Sequence, residues 1–466
     1  MGQLTSGRLP ATTLVENFEE RLGRLTSEQA TTEASRCLYC FDAPCMVACP
    51  TSIDIPSFIK RIATGDTDGA ATKILEQNVL GASCARVCAT EELCEEACVL
   101  DRAHEKPISI GRLQRFATDH LLETGGSIPY TAGEPTGRRV AVIGGGPAGL
   151  AAAAELRVAG HAVTIFERQP QLGGLATYGI IPHREPTAIA MWEVEQILAL
   201  GVEARTNVEV GVDVMADELL TEFDAVLVAN GSGRNVVSIN LEGSDAPGVE
   251  DALHFIEKIR TLPPADVPVG ADVVVIGAGN TAMDACTIAV GLGARTVTCV
   301  YRRTEAEMSG YPNEYELCKS EGVQFRWLTQ PVRVLTDETG HVSGLECAQV
   351  MLGEPGADGR PVPIVSDTMV QIAADHVLLA TGQQREPAIY QTLGVTLDGD
   401  RPATLGAFTT SNPRVFVAGD TVLTGKELSV VDAVAQGRDA ARAISAALSG
   451  DALTTVGAVA TEDFNG

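Results

Sequence analysis

The sequence predicts an α/β chain with two Rossmann-like dinucleotide-binding domains, the second inserted in the first, preceded by a mostly α-helical, cysteine-rich domain. Two glycine-rich turns, at residues 144–149 and 277–282, each stand between an apolar strand pattern and a helix pattern. Eight of the twelve cysteines lie ahead of the first turn, between Cys37 and Cys98. At 466 residues the chain is too long for one core and fits two or three domains.

In chain order, residues 14–25 suggest a short helix. Apolar residues then recur at spacings of three and four over 55–62 and 70–80, which predicts helices around the cysteines. Residues 1–130 form the expected helical domain. Gly125, Gly126, Pro129, Gly133, Pro135 and Gly137 mark a linker. Residues 138–143 read as a buried strand, followed by an alanine-rich helix and a second strand at 161–166. The second unit opens with a strand at 271–276, a helix through Val290 and a strand at 296–300. Strands at 376–379 and 415–418 and a helix over 430–448 are expected to return to the first domain. The expected boundaries are therefore 137–250 with 375–450 for one domain, 251–374 for the other, and 451–466 as a loose tail.

Each turn has the residues its chemistry needs. Gly144 permits the tight bend, Gly146 admits a pyrophosphate, and Gly149 lets helix and strand pack closely; Pro147 and Ala148 open the helix whose N–H groups meet phosphate. Glu167, 23 residues beyond Gly144, stands where a carboxylate bonds a ribose hydroxyl and suits FAD. Gly277, Gly279, Asn280 and Thr281 repeat the pattern with Ala282 in the third small position. There the ribose position carries Arg302 and Arg303 instead of an acid, which favours the 2′-phosphate of NADPH, with NADH second. Gly382 and Gly419 follow the last two strands and are further cofactor-binding candidates. No Cys-x4-Cys pair lies near the first turn, which argues against disulfide reduction. Cys286, Cys299 and Cys318 read as isolated, Cys299 as core filler.

The net charge of -27 argues against nucleic acid or an anionic membrane as partner. The start lacks a signal-peptide pattern and no run of eighteen apolar residues occurs, so the expected place is the cytoplasm. In that reducing compartment clustered cysteines favour metal or redox chemistry over disulfides. The blocks are Cys37-x2-Cys40-x4-Cys45-x3-Cys49-Pro50 and Cys84-x3-Cys88-x5-Cys94-x3-Cys98. Three near cysteines and a fourth followed by proline is an iron–sulfur habit, and eight thiols could supply two [4Fe–4S] centres; structural zinc is the alternative.

The chain resembles the NAD(P)H-oxidising subunit of bacterial dihydropyrimidine dehydrogenase and the N-terminal half of the mammalian enzyme, with the glutamate synthase small subunit a broader relative. The resemblance runs from about Cys37 to Leu448. It is carried by Cys37-Leu38-Tyr39-Cys40-Phe41-Asp42-Ala43-Pro44-Cys45, by residues 80–88 (LGASCARVC) and 107–116 (PISIGRLQRF), and by Gly173-Gly174-Leu175, Val300-Tyr301-Arg302-Arg303 and Val417-Ala418-Gly419-Asp420. It implies one cluster on Cys37, Cys40, Cys45 and Cys98, and another on Cys49, Cys88, Cys94 and Gln114, with Cys84 no ligand. It further implies that Gly174, Leu175 and Asp420 lie beside FAD and that residues 424–431 approach the isoalloxazine, although Lys426 and Glu427 receive no role. Three departures stand out: Ala89 replaces a proline, and His183 and Glu185 replace two apolar residues of a Gly-Ile-Pro-x-Phe-Arg-Leu-Pro motif.

The implied activity is electron entry. NAD(P)H reduces FAD, and single electrons pass through two clusters to an FMN-containing pyrimidine-reducing subunit, in a hetero-oligomer; no general acid or base is expected on this chain. The alternatives are a glutamate synthase small subunit, an NAD(P)H:ferredoxin-type oxidoreductase with a ferredoxin-like acceptor, and a non-catalytic iron–sulfur scaffold.

Overall fold

The computed structural model describes residues 9–233, 239, 241–356, 359–406, 408–422 and 428–450. The expected tail at 451–466 and residues 424–427 of the expected flavin-facing stretch lie outside the described residues.

Helices dominate the cysteine region: α1 (Ala11–Asn17), α2 (Ser27–Ala34), α3 (Pro44–Val47), α4 (Ile55–Ala63), α5 (Thr67–Leu75), α6 (Gly81–Val87), α7 (Val99–Arg102) and α8 (Ile110–Glu123). Local chemistry sets their starts. Thr26 and Gln29 form a reciprocal cap on α2, and Asp54 Oδ1 accepts from Ser57 N at 3.1 Å ahead of α4. Ile55, Phe58, Ile59 and Ile62 then recur at helical spacing and are all buried. Each such side chain contributes about 1.5–3 kcal/mol of hydrophobic stabilisation.

Next come β1 (Arg139–Ile143), α9 (Pro147–Val158), β2 (Ala162–Glu167), α10 (Leu175–Tyr178), α11 (Thr187–Leu198), β3 (Glu203–Thr206), α12 (Ala216–Glu222) and β4 (Ala225–Val228). They are followed by β5 (Val249–Asp251), α13 (Ala252–Thr261), β6 (Asp272–Ile276), α14 (Asn280–Gly291), β7 (Thr296–Val300), α15 (Pro312–Ser320) and β8 (Gln324–Arg326). The strands β9 (Thr329–Thr336), β10 (Val342–Pro355), β11 (Pro361–Ala373) and β12 (His376–Leu379) lead to α16 (Ala388–Thr392), the short β13 (Leu397–Asp398) and β14 (Arg401–Pro402), β15 (Val415–Val417) and α17 (Val430–Ser449).

Two five-stranded parallel sheets result, ordered β15-β4-β1-β2-β3 and β5-β12-β6-β7-β8. Their central strands are nearly continuous apolar runs, as strands covered on both faces require. β9–β11 form a separate antiparallel sheet that the sequence reading did not anticipate.

The chain divides into two compact units. One comprises residues 23–177, 187–232 and 385–466; the other comprises 1–22, 178–186 and 233–384. In the first unit the cysteine-bearing helices and the first sheet share one core, from Ile59 and Leu113 to Leu150 and Val163. α17 lies against α9 so closely that a Cβ on Gly437 would be 2.0 Å from Ala148 O. Alanines on α9 make this approach feasible.

Two expectations need correction. The strand at 376–379 does not return to the first sheet. It pairs with β6 and β5, so the inserted part extends to Gln384 instead of 374. The buried apolar residues Val377, Leu378 and Leu379 fit either sheet equally, and only the pairing decides between them. The start of the chain also does not join the helical region: Leu14 and Phe18 pack into the core of the second unit beside Ile256 and Leu292.

Candidate functional site

In the first unit, the turn after β1 is shaped for close approach. Gly144 has φ of +103°, and a Cβ there would lie 2.4 Å from Ala229 O. At Gly149 a Cβ would meet Gly144 O at 2.0 Å, so the third glycine is required by packing. Gly146 borders open space, its nearest neighbour being Gly174 Cα at 3.8 Å from a notional Cβ. No side chain caps the first turn of α9, which leaves its N–H groups for phosphate. Glu167 reaches the turn, its Oε2 accepting from Gly145 N at 2.8 Å and its Oε1 from Gln169 N at 2.8 Å. Gly173 N donates to Gly145 O at 2.7 Å, which lays the 173–174 turn across the loop, while Leu175 is partly exposed. Gly419 lies against Ala148, and burial pushes the Asp420 carboxyl up to about 6 although Arg385 opposes it. Gly144, Gly146, Pro147, Ala148, Gly149, Glu167, Gly174, Leu175, Gly419 and Asp420 thus share one unit, and the open, uncapped loop fits the pyrophosphate of FAD.

The second unit holds the matching turn. A Cβ on Gly277 would strike Ala380 O at 2.2 Å, and α14 again lacks a side-chain cap. Asn280 Oδ1 accepts from Tyr311 N at 2.8 Å, next to Thr281. Gly382, with φ of +101°, follows β12 and so belongs to this unit, not to the one with the first turn. The two arginines separate. Arg302 is exposed, whereas Arg303 is buried and donates Nε to Pro361 O at 2.9 Å.

The cysteines fall into two groups in the first unit. Cys37, Cys40, Cys45 and Cys98 line one recess with Ile55, Ile59 and Ile108. Burial first, then the charges of Cys37 and Cys98, pushes the Cys45 thiol up to about 12. Cys88 is raised by its hydrogen bond with Cys84, by burial, and by Cys94 and Cys49. Cys84, Cys94 and Cys49 are thus neighbours of Cys88, and Cys94 is also raised by Cys45, so these surroundings do not make Cys84 a bystander. Gln114 is buried on α8, and its Nε2 donates to Gly81 O at 2.8 Å, which leaves the amide oxygen as the available end. Tyr39, Ala43 and Ser52 hold positive φ values of 50°, 29° and 55°, conformations that bend the backbone of the first block. Among the described residues no three His, Cys, Asp or Glu side chains are gathered for a single metal ion. Soft thiolate donors in groups of this size suit iron–sulfur clusters.

Several buried polar groups receive no partner from the sequence, which marks His183 and Glu185 only as departures from a motif. Arg184 reaches Asp284 at 3.4 Å and Glu314 at 3.3 Å, and burial pushes Asp284 up to about 7 despite that arginine. His183 is 3% exposed and neither ring nitrogen has a hydrogen-bond partner among the described residues; burial, with Arg21 and Arg184, drives it down to about 3. Glu185 is fully buried beside Arg260. Glu193 is buried on α11 and bonds to α6. Cys286 and Cys299 are neighbours with Cys318 close by, so these three thiols are not isolated. Sequence spacing signals none of these meetings.

Residues 138–437 match the family described as pyridine nucleotide-disulphide oxidoreductase. The chain belongs to this family. It is an NAD(P)H-dependent oxidoreductase, and residues 14–126 match a second family, dihydropyrimidine dehydrogenase domain II, 4Fe-4S cluster. It is similar to the glutamate synthase [NADPH] small chain of Escherichia coli, with 36% identity over 92% of this chain and 93% of that one. It is equally similar, at 36% identity over 93% and 98%, to the E. coli NAD-dependent dihydropyrimidine dehydrogenase subunit PreT. Among solved structures, Mycobacterium tuberculosis FprA in complex with NADPH superposes with a TM-score of 0.55 at 21% identity, covering 68% of this chain and 85% of that one, which shows the shared fold. The α/β class with an N-terminal iron–sulfur region and FAD/NAD(P) domains is thereby established. Among the described residues no helix is long and apolar enough to cross a membrane.

Proposed function

We propose that the chain is the electron-input subunit of a hetero-oligomer, taking hydride from NADPH and delivering single electrons to an FMN-containing, pyrimidine-reducing partner. When bound, FAD supplies two-electron acceptance with one-electron release, and two [4Fe–4S] clusters supply single-electron carriage. Cys37, Cys40, Cys45 and Cys98 would hold one cluster; Cys49, Cys88, Cys94 and Gln114 would hold the other. The Gly144 turn, Glu167 and Asp420 bind and orient FAD; the Gly277 turn and Arg302 bind the nicotinamide nucleotide.

The observation that carries this reading is the recess shared by Cys37, Cys40, Cys45 and Cys98 within the unit that also holds the first dinucleotide turn. Cys98 joins the first block although it closes the second in sequence. The position of Cys98 supports the first ligand set implied by the resemblance; the second set, with Gln114 in place of Cys84, rests on the resemblance.

A glutamate synthase small subunit is the second reading, since identity to that relative and to PreT is the same. Gln114, where the glutamate synthase relatives typically carry glutamate, favours the pyrimidine side. Purification with its natural partner tests the choice. A companion containing FMN, with NADPH-driven reduction of uracil or thymine, supports the proposal; a large glutamate-forming companion refutes it.

A further inference from the structure

We propose that Glu193 is a positioning residue for the second cluster: a buried carboxylate that fixes α6 and lowers the reduction potential of the centre held by Cys49, Cys88, Cys94 and Gln114. The inference rests on the two-cluster reading above and adds a residue that takes no part in ligation.

Glu193 is 1% exposed on α11. A carboxylate so placed is costly unless donors surround it. It accepts from Ala82 N at 2.7 Å, from Ser83 N at 3.1 Å and from Ser83 Oγ. Those three donors belong to the first turn of α6, which has no side-chain cap of its own.

Two independent features tie that turn to the cluster residues. α6 ends at Cys88, whose N–H donates to Cys84 O at 3.2 Å. On the other side, Gly81 O receives Gln114 Nε2 at 2.8 Å and so turns the amide oxygen away from that bond. One short segment therefore orients a thiolate and the amide ligand, and Glu193 holds the segment.

α11 also packs on α9, the helix that follows the first dinucleotide turn. The carboxylate thus joins the cluster-bearing helix to the flavin-binding layer within one unit. A glutamine could keep both backbone donors on its amide oxygen and donate its Nε2 to Ser83 Oγ, at a smaller desolvation cost. The distinguishing property of glutamate is its charge, which in a low-dielectric interior opposes the arrival of an electron on a nearby cluster.

Anaerobic EPR redox titration of the full chain tests this, with Cys88→Ser identifying the signal of the second cluster by its loss. Glu193→Gln should retain wild-type iron and sulfide, move that signal to higher potential and leave the other in place. Ser83→Ala, which keeps the charge but removes a donor to it, should move the same signal downward. Both signals shifting alike, or neither shifting, overturns the proposal. If Glu193→Gln binds less iron, Ser83→Ala decides alone, and absence of a selective shift there overturns it. Wild-type protein carrying zinc or a single cluster would instead overturn the two-cluster reading, so the two failures are distinguishable.

Discussion

Replacing Arg302 by alanine should reduce the preference for NADPH over NADH, whereas replacing Arg303 should mainly reduce stability. Both arginines follow β7 at the position where the second ribose is expected. Their surroundings differ: Arg302 is exposed, and Arg303 is 7% exposed with Nε committed to Pro361 O at 2.9 Å. A hydrogen bond to a charged group contributes about 1.5–3 kcal/mol. Losing one between Arg302 and a 2′-phosphate should lower kcat/KM for NADPH by about 10- to 150-fold and leave NADH nearly unaffected. Arg303→Ala removes a buried side chain and the charged donor to the half-buried Pro361 carbonyl, and should cost about 1.5–3 kcal/mol of stability. Steady-state reduction of an artificial acceptor with each nucleotide, beside thermal unfolding of both variants, gives the two quantities. An unchanged nucleotide ratio in Arg302→Ala, or an equal change in Arg303→Ala, refutes the reasoning.

Three other changes follow from the packing and charge of the structure. Gly437→Ala places a methyl 2.0 Å from Ala148 O, so helix separation should cost about 1–3 kcal/mol and loosen FAD retention; wild-type melting and flavin content would contradict this. His183 is held down to about 3 from an ordinary 6.5, so the unfolded chain takes up the proton first and stability falls as pH drops through that window. His183→Phe should therefore flatten the acid limb of a stability–pH profile, and an unaltered limb would refute the assignment. Cys84→Ser should retain the full iron and sulfide content if Gln114 completes the second cluster; loss of about half the iron would make Cys84 a ligand.

The parts of the fold legible in the sequence are those where local chemistry allows few alternatives. Gly144, Gly149 and Gly277 stand where any side chain would strike backbone, so the two turns announce themselves. The apolar spacing of Ile55, Phe58, Ile59 and Ile62 likewise predicts α4 almost to its ends. Partner choice is less legible. His376–Leu379 is an evident strand, but its apolar residues carry no address for one sheet over the other. Leu14 and Phe18 similarly announce a buried face without naming the core they enter. At the candidate site the cysteines were visible, whereas their supports were not. Glu193 reads as an ordinary helix charge until its burial and its bonds to Ala82 and Ser83 are known. Arg303 looks like a phosphate ligand until its tie to Pro361 appears.

Anaerobic analysis of iron, acid-labile sulfide and flavin in the purified full chain tests the central claim most directly. Ligand sets of Cys37, Cys40, Cys45 and Cys98, and of Cys49, Cys88, Cys94 and Gln114, predict two [4Fe–4S] clusters, hence about eight irons and eight sulfides, with one FAD per chain. Stoichiometric zinc, or iron sufficient for only one cluster in fully loaded protein, would contradict the account.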